Sequence, residues 1–512
     1  MAKKSAKKTK SAGDPSAAPA AARSVKPAKP AKAAAPAKAA KPSKKSATRA
    51  DAAASRSVKP TPATTRSTTA RSTTTARDFP RDFLWGTATS ATQIDGGDRA
   101  SDWYHFCQKP GRILDGGSSD PACDHWNRYE SDFALMKSMG LGAYRFGVDW
   151  SRFQPTADSE FDTAALEHVR GMLASLKRKN IRPLLTLHHF AVPQWWLEKG
   201  GFVHEANLGD FYRFARFIVE GVGDLVEDYI TFNEPNIYAL LSYVMGVWPP
   251  AHKGLYGYIE NMKVQRSMVL AHFTLYDMIR EIHGRKNFKT PRISIAKHMR
   301  LMDPKNPESR LDVDRANVAD YRLNRLVPDC IHSGRMLPPF GSGEQIHDPA
   351  AWDFFGLNYY SRDFVNFSLL KPQMLFINVQ TSNDAPKNEL GWEIYPEGLE
   401  RLLLDVHARY GLPIRITENG TADAADAFRG QYLIDHLQAM QRAMLAGVAV
   451  EGYYHWSFMD NFEWAEGYTA RFGLVEVDFA TQNRTVRPSG NLYSQVARTG
   501  KIPLARRAIP SI

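Results

Sequence analysis

The segment Leu166-Glu-His-Val-Arg-Gly-Met-Leu-Ala-Ser-Leu176, followed by a polar turn and then Pro183-Leu-Leu-Thr-Leu187-His-His189, carries the pattern that decides the fold. Leu166, Val169, Leu173 and Leu176 recur at helical spacing and make one apolar face, while 183–187 is an apolar run of strand length. An amphipathic helix feeding a short buried strand is one step of a β/α alternation. Leu433, Leu437, Met440 and Met444 form a second such face ahead of 450–456. Eight strand candidates follow this rule: 83–88, 143–146, 183–187, 229–233, 292–297, 354–358, 414–418 and 450–456. Strands that alternate with helices run parallel, and eight of them in one chain predict a single α/β (β/α)8 TIM barrel over residues 78–512. A doubly wound open sheet is the weaker alternative, because no Gly-x-Gly-x-x-Gly turn follows the first strand.

Composition narrows the class. The chain has 512 residues, 43% apolar and 23% charged, which excludes disorder throughout. No run approaches the roughly 20 apolar residues of a spanning helix, and the start Met1-Ala-Lys-Lys-Ser lacks the apolar centre of a secretory signal, so a cytoplasmic protein is expected. Cys107, Cys123 and Cys330 contain no Cys-x-x-Cys pair and support neither a disulfide framework nor a zinc cluster. The pair His188-His189 has no acidic partner at ligand spacing, so no metal is expected either.

The net charge of +12 belongs to one end. Residues 1–77 hold 19 Lys and Arg against Asp14 and Asp51, a net of +17, which leaves −5 for 78–512. This Ala-, Lys-, Pro-, Ser- and Thr-rich stretch has no aromatic residue and is expected to be a disordered basic tail. Its two readings are a polyanion-binding extension, toward nucleic acid or an anionic surface, and a solvated extension without a partner. A transit peptide is the third option, and the Lys- and Pro-dense start argues against it.

In a parallel barrel the chemistry lies at the C-terminal strand ends. The polar residues there are Arg145 for strand two, His188-His189 for strand three, Asn233-Glu234 for strand four, Asn358-Tyr359-Tyr360 for strand six and Glu418-Asn419 for strand seven. Two glutamates from distant segments would thus enter one mouth, the arrangement that two-carboxylate glycoside hydrolysis requires.

Six motifs in one order resemble the family 1 glycoside hydrolases, the β-glucosidase and β-galactosidase family, over nearly all of 79–495. They are Phe83-Leu-Trp-Gly-Thr-Ala-Thr-Ser-Ala-Thr-Gln93, Tyr144-Arg-Phe146, Thr231-Phe-Asn-Glu-Pro-Asn236, Phe355-Gly-Leu-Asn-Tyr-Tyr360, Ile416-Thr-Glu-Asn-Gly420 and Trp456-Ser-Phe-Met-Asp-Asn-Phe-Glu-Trp464. The resemblance implies Glu234 as general acid/base and Glu418 as nucleophile, supported by Arg145, Tyr360 and Asn358. It implies a sugar site made of Gln93, His189, Asn233, Glu463 and Trp464, with Trp456 as the stacking surface. Arg145 and Tyr360 are expected to keep Glu418 ionised, and the neighbouring carboxylate and desolvation to raise the pKa of Glu234. A retaining mechanism with a carboxyl separation of roughly 5 Å follows, without any cofactor. Glu463 disfavours a 6-phosphorylated sugar by repulsion, and Glu234 argues against the branch that works without an acid.

His188, His436 and His455 are expected to be structural, as is Arg487. Asp95, Phe190, Gly147 and Asp149 depart from the family pattern, Phe190 replacing the tryptophan that commonly follows the sugar-binding histidine. The connection 328–353 looks short, and as a wall of the aglycone site it would widen the mouth for bulky leaving groups. Two further readings stay open: a transglycosidase on this scaffold, and an idle barrel whose basic tail binds a polyanion. The oligomeric state is not legible in the sequence.

Overall fold

The computed structural model describes residues 79–371 and 374–503. The basic stretch 1–77, and with it the polyanion reading, lies outside the described residues. Eight parallel strands form the centre: β1 Leu84–Ala88, β2 Ala143–Gly147, β3 Arg182–Thr186, β4 Asp228–Asn233, β5 Arg292–Pro304, β6 Phe355–Phe367, β7 Ile414–Asn419 and β8 Val450–Trp456. Each pairs with its neighbours in sequence, β8 pairs with β1, and β6 with β7, so the sheet closes into a TIM barrel. Closure leaves no free edge, and crossover helices bury the outer faces. Helix Thr163–Arg178 buries Leu166, Val169, Leu173 and Leu176, and the Asp162 carboxylate accepts from the amides of Ala164 and Ala165 at its start. Helix Arg429–Leu445 buries Leu433, Leu437 and Met440 in the same way. Among the described residues no helix is long and apolar enough to cross a membrane.

Two expectations need correction. Strands five and six run well past 297 and 358, to 13 residues each, and continue above the barrel as a ribbon joined by the antiparallel strand Ile377–Gln380. Charged residues hid this extension, and cross-strand pairs accommodate them: Arg300 meets Asp363 at 2.8 Å, and Arg362 meets Asp303 at 3.3 Å. The connection 328–353 is not a wall of the mouth. Asp353 exchanges hydrogen bonds of 2.8 Å with the backbone of Ile293, near the start of β5, which puts this segment under the N-terminal face of the barrel. It leads into a strand rather than out of one, so it takes no part in the site at the C-terminal ends.

An ionic lattice ties that N-terminal face together. Asp228 of β4 pairs with Arg415 of β7 at 2.9 Å and with Arg182 of β3, while Glu451 of β8 meets Arg415 at 3.1 Å and Arg292 at 2.7 Å. Asp228 is fully buried and Arg415 nearly so. Removing one partner leaves a buried charge uncompensated. Asp228→Ala is expected to destabilise the fold by about 3–5 kcal/mol, to be read from the midpoint of chemical denaturation.

Candidate active site

The polar strand ends expected to converge do so. Arg145 is wholly buried in the barrel interior, where Ala88, Ala143 and Ala296 leave room for its side chain. Its Nη1 donates to Glu418 Oε1 at 2.5 Å and its Nη2 to Asn233 Oδ1 at 2.6 Å, while Nε reaches Thr186 Oγ1 at 3.1 Å. Tyr360 donates its hydroxyl to Glu418 Oε2 at 2.7 Å, so both oxygens of Glu418 are engaged. Asn358 accepts from Thr417 at 2.6 Å and turns its amide to Glu234 Oε1 at 2.7 Å and to Asn233 Oδ1 at 3.1 Å. Five strands therefore fix two carboxyls through one continuous network of hydrogen bonds.

Local backbone strain accompanies this geometry. Glu234, Phe190 and Trp464 have φ of 44°, 69° and 51°, a region that side-chain-bearing residues occupy at a cost of about 1–3 kcal/mol each. The backbone amide of Glu234 donates to Ala296 O at 2.8 Å, and Pro235 opens the following helix, so the chain turns sharply with the carboxyl at the corner.

On the other side of Glu418, Gln93 donates to Glu463 Oε2 at 3.2 Å and Asn233 Nδ2 to His189 Nε2 at 3.0 Å. The His189 ring lies roughly parallel to those of Trp456 and Trp464, at 5.9 and 6.0 Å. Glu234, Glu418, His189, Trp456, Glu463 and Trp464 all line one cavity of about 1020 Å³. Tyr360 lines it as well, whereas Gln93, Arg145, Asn233 and Asn358 are fully buried immediately behind these residues. Phe190 also faces the cavity and packs on Trp248 and Trp464, at 4.7 and 5.3 Å, so its ring is part of an aromatic wall.

Toward solvent the lining turns apolar. Leu241, Val244, Met245, Val247, Met302, Ile377 and Val379 line the cavity together with charged residues such as Arg112, Lys253 and Arg322, and Met245, Val247, Val379 and Leu114 are exposed. This outer wall was not foreseen, because its apolar residues sit beyond the expected ends of strands and helices.

His188 does not join the site. It is enclosed by Phe202, Phe211, Phe232 and Tyr238, and burial pushes its pKa down to about 3. His436 and His455 are likewise buried, and Arg487 bonds Asp460 at 2.8 Å. Among the described residues no group of three or more His, Cys, Asp and Glu is placed to hold a metal ion. Sequence reasoning missed His298, whose Nδ1 lies 3.2 Å from Glu234 Oε1. It follows Lys297 on β5, a strand whose end carries none of the six motifs and none of the polar strand-end residues named from the sequence.

The electrostatics differ from expectation. Burial raises Glu418, outweighing Arg145 and the Tyr360 bond, and leaves it at about 7. Burial also raises Glu234, but His298, Asn358 and Arg145 outweigh it, so that its carboxyl lies below the usual value. The reason is that Asn358 and His298 converge on the same oxygen, and bonds to the charged form favour that form. Glu463 is pushed up to about 8 by burial and by the charge of Glu418. It is therefore largely a neutral acid near pH 7, and its repulsion of a phosphate develops only as it ionises.

Glu463 has a folded value above the 4.5 of an ordinary glutamate. The folded state then binds the extra proton, so the stability linked to this group is complete below pH 4.5 and is lost as pH rises through about 8. Between about pH 4.5 and 8 the wild type should lose thermal stability relative to Glu463→Gln, and the difference should level off above that range. Melting temperatures of both proteins across that range provide the check.

Comparison with known proteins places this geometry. Residues 75–502 match the profile described as Glycosyl hydrolase family 1. Beta-glucosidase A of Acetivibrio thermocellus is 32% identical over 450 residues, covering 82% of this chain and 98% of that protein. The structure of a beta-glycosidase from Pyrococcus horikoshii superposes with a TM-score of 0.76 at 36% identity, over 83% of this chain and 96% of that one. Galactolipid galactosyltransferase SFR2, chloroplastic, of Arabidopsis thaliana is 32% identical over 402 residues, 75% of this chain and 59% of that protein.

Proposed function

The chain belongs to glycosyl hydrolase family 1, as an O-glycosyl hydrolase of β-glucosidase type, and from that membership we propose a retaining exo-β-glycosidase acting on a terminal β-D-glucosyl residue. Galactosyl and fucosyl residues are accepted in the same site. The observation that carries the reading is the linkage of Glu418 to Glu234 through Arg145, Asn233 and Asn358, which holds two carboxyls from separate strands in one cavity.

In this reading the two interacting carboxyls share one proton, which passes to Glu234 once Glu418 is engaged with the sugar; Glu418 then attacks the anomeric carbon, and the glycosidic bond breaks as Glu234 delivers that proton to the leaving oxygen. The product is a glycosyl ester on Glu418. Ester formation removes the Glu418 charge, Glu234 ionises, and it takes a proton from the water that releases the sugar. Arg145 and the Tyr360 hydroxyl orient both oxygens of Glu418 for attack and disperse its charge beforehand. His189, Glu463 and Trp464 meet the ring hydroxyls, Trp456 stacks on the ring, and Gln93 and Asn233 close the floor. A bond from Asn233 to the 2-hydroxyl would strengthen as positive charge grows on the ring.

Glu418→Gln is expected to lower kcat by at least about a thousandfold. Proton NMR of an aryl β-glucoside should show the β-anomer of the sugar released first. Initial release of the α-anomer would refute retention, and substantial turnover by the variant would remove Glu418 as nucleophile.

A second reading, transfer of the glycosyl group to an alcohol, is favoured by the apolar mouth around Met245, Val247 and Val379 and by the likeness to a galactosyltransferase. Such a wall binds an amphiphilic leaving group or acceptor better than it binds water. Octyl β-glucoside should exceed methyl β-glucoside in kcat/KM by at least about tenfold, and added long-chain alcohol should divert product to alkyl glycoside. A preference for methyl glycoside would oppose this reading. An idle barrel has less support, since both carboxyls are held in one cavity, Glu418 through both oxygens and Glu234 through Oε1.

A further inference from the structure

Glu234 Oε1 is approached from two sides. Asn358 of β6 donates to it at 2.7 Å, and His298 of β5 places Nδ1 at 3.2 Å. Asn358 has only an amide hydrogen to offer that oxygen, and the Asn358 carbonyl is already taken by Thr417. His298 Nε2 is buried and meets no hydrogen-bonding group among the described residues. The tautomer with hydrogen on Nδ1 therefore satisfies Oε1 and leaves a bare lone pair at Nε2, whereas the other tautomer would bury an orphaned N–H.

The imidazole has a ring neighbour on one face and lines the cavity. The ring lies against Tyr360 of β6, at 5.9 Å between centroids, and Lys297 on its own strand donates to the His298 carbonyl at 2.8 Å. The charged groups around this pair are mostly matched. Asp363 of β6 is held by Arg300 at 2.8 Å, Glu418 of β7 is held by Arg145 of β2, and Glu463 lies beyond Glu418. Lys297 also donates to Leu323 O, so two backbone carbonyls hold its ammonium while it stays within the field of Glu234. Glu234 is thus left with two donors on one oxygen and none on Oε2.

We propose that His298 is a positioning residue for Glu234, donating Nδ1–H to Oε1 so that the acid proton resides on Oε2 and the carboxylate left after protonating the leaving group is stabilised. With Oε1 reserved, Oε2 alone can carry the proton toward the glycosidic oxygen. The same bond eases ionisation of Glu234 before it activates water. This rests on Glu234 as the acid/base, and it adds a residue that sets the pH at which that acid stops working.

The test compares the wild type with His298→Leu, which lacks the donor, and His298→Asn, whose side-chain amide can stand in for Nδ1–H. The pH profile of kcat/KM is recorded with phenyl β-glucoside, a poor leaving group that needs protonation, and with 2,4-dinitrophenyl β-glucoside, which does not. Loss of a donor to the charged form raises a carboxyl pKa. The alkaline limb for the phenyl substrate should move up by about one pH unit in His298→Leu and return in His298→Asn. The limb for the dinitrophenyl substrate should stay in place. An unmoved phenyl limb, or an equal shift for both substrates, overturns the inference. Glu234→Gln, run in parallel, separates the two levels: if it penalises both substrates equally, the reading of Glu234 fails, and if it spares the dinitrophenyl substrate, only the role of His298 is in question.

Discussion

Everything at the mouth of this barrel depends on the guanidinium of Arg145, buried without solvent in the barrel interior. A cation there is tolerable only when its donors are filled and its charge is matched. Glu418 supplies the charge, and Asn233 and Thr186 fill the remaining donors. Because these partners come from β3, β4 and the end of β7, satisfying one arginine fixes three strand ends relative to β2. Asn358 then extends the network to Glu234. Position and charge are thus set together, which is the preorganisation that acid–base and nucleophilic chemistry needs.

The two carboxyls are differentiated by their neighbours more than by their depth, since both are buried. Glu418 is flanked by a guanidinium and a phenol on separate oxygens, whereas Glu234 has both donors on one. The free oxygen of Glu234 is a consequence of that asymmetry. Around the pair the cavity has two characters: polar and aromatic at the base, where Glu463, His189 and Trp464 meet, and apolar toward solvent. Small polar groups can be recognised in the first part, and the second part favours a partner with hydrocarbon surface.

Much of this was legible from local pattern. Helical faces such as Leu166, Val169, Leu173 and Leu176 and the apolar runs at each strand located all eight strands, because burial of one face imposes a period that sequence displays directly. The rule that chemistry lies at strand ends brought out Arg145, Asn233, Glu234, Asn358, Tyr360 and Glu418 as one cluster. It would equally have brought out His298 had the end of β5 been taken as polar rather than as the end of an apolar run. The ribbon beyond β5 and β6 escaped notice since Arg300, Asp303, Arg362 and Asp363 break the apolar period, and their pairing across strands has no signature along the chain. The segment 328–353 was placed on the wrong face for a related reason: loop length says nothing of which end of the barrel a loop occupies.

The sequence by itself determined the eightfold β/α alternation, the family, and which polar residues close the strands, since these depend on period and on order along the chain. Only the tertiary structure decided that Glu234 has His298 beside it, that both its donors share one oxygen, and that the outer cavity is apolar. Those properties arise between segments that are far apart in sequence, where distance, burial and competing charges act together. No local pattern encodes that balance, and it is the balance that sets how each carboxyl holds its proton.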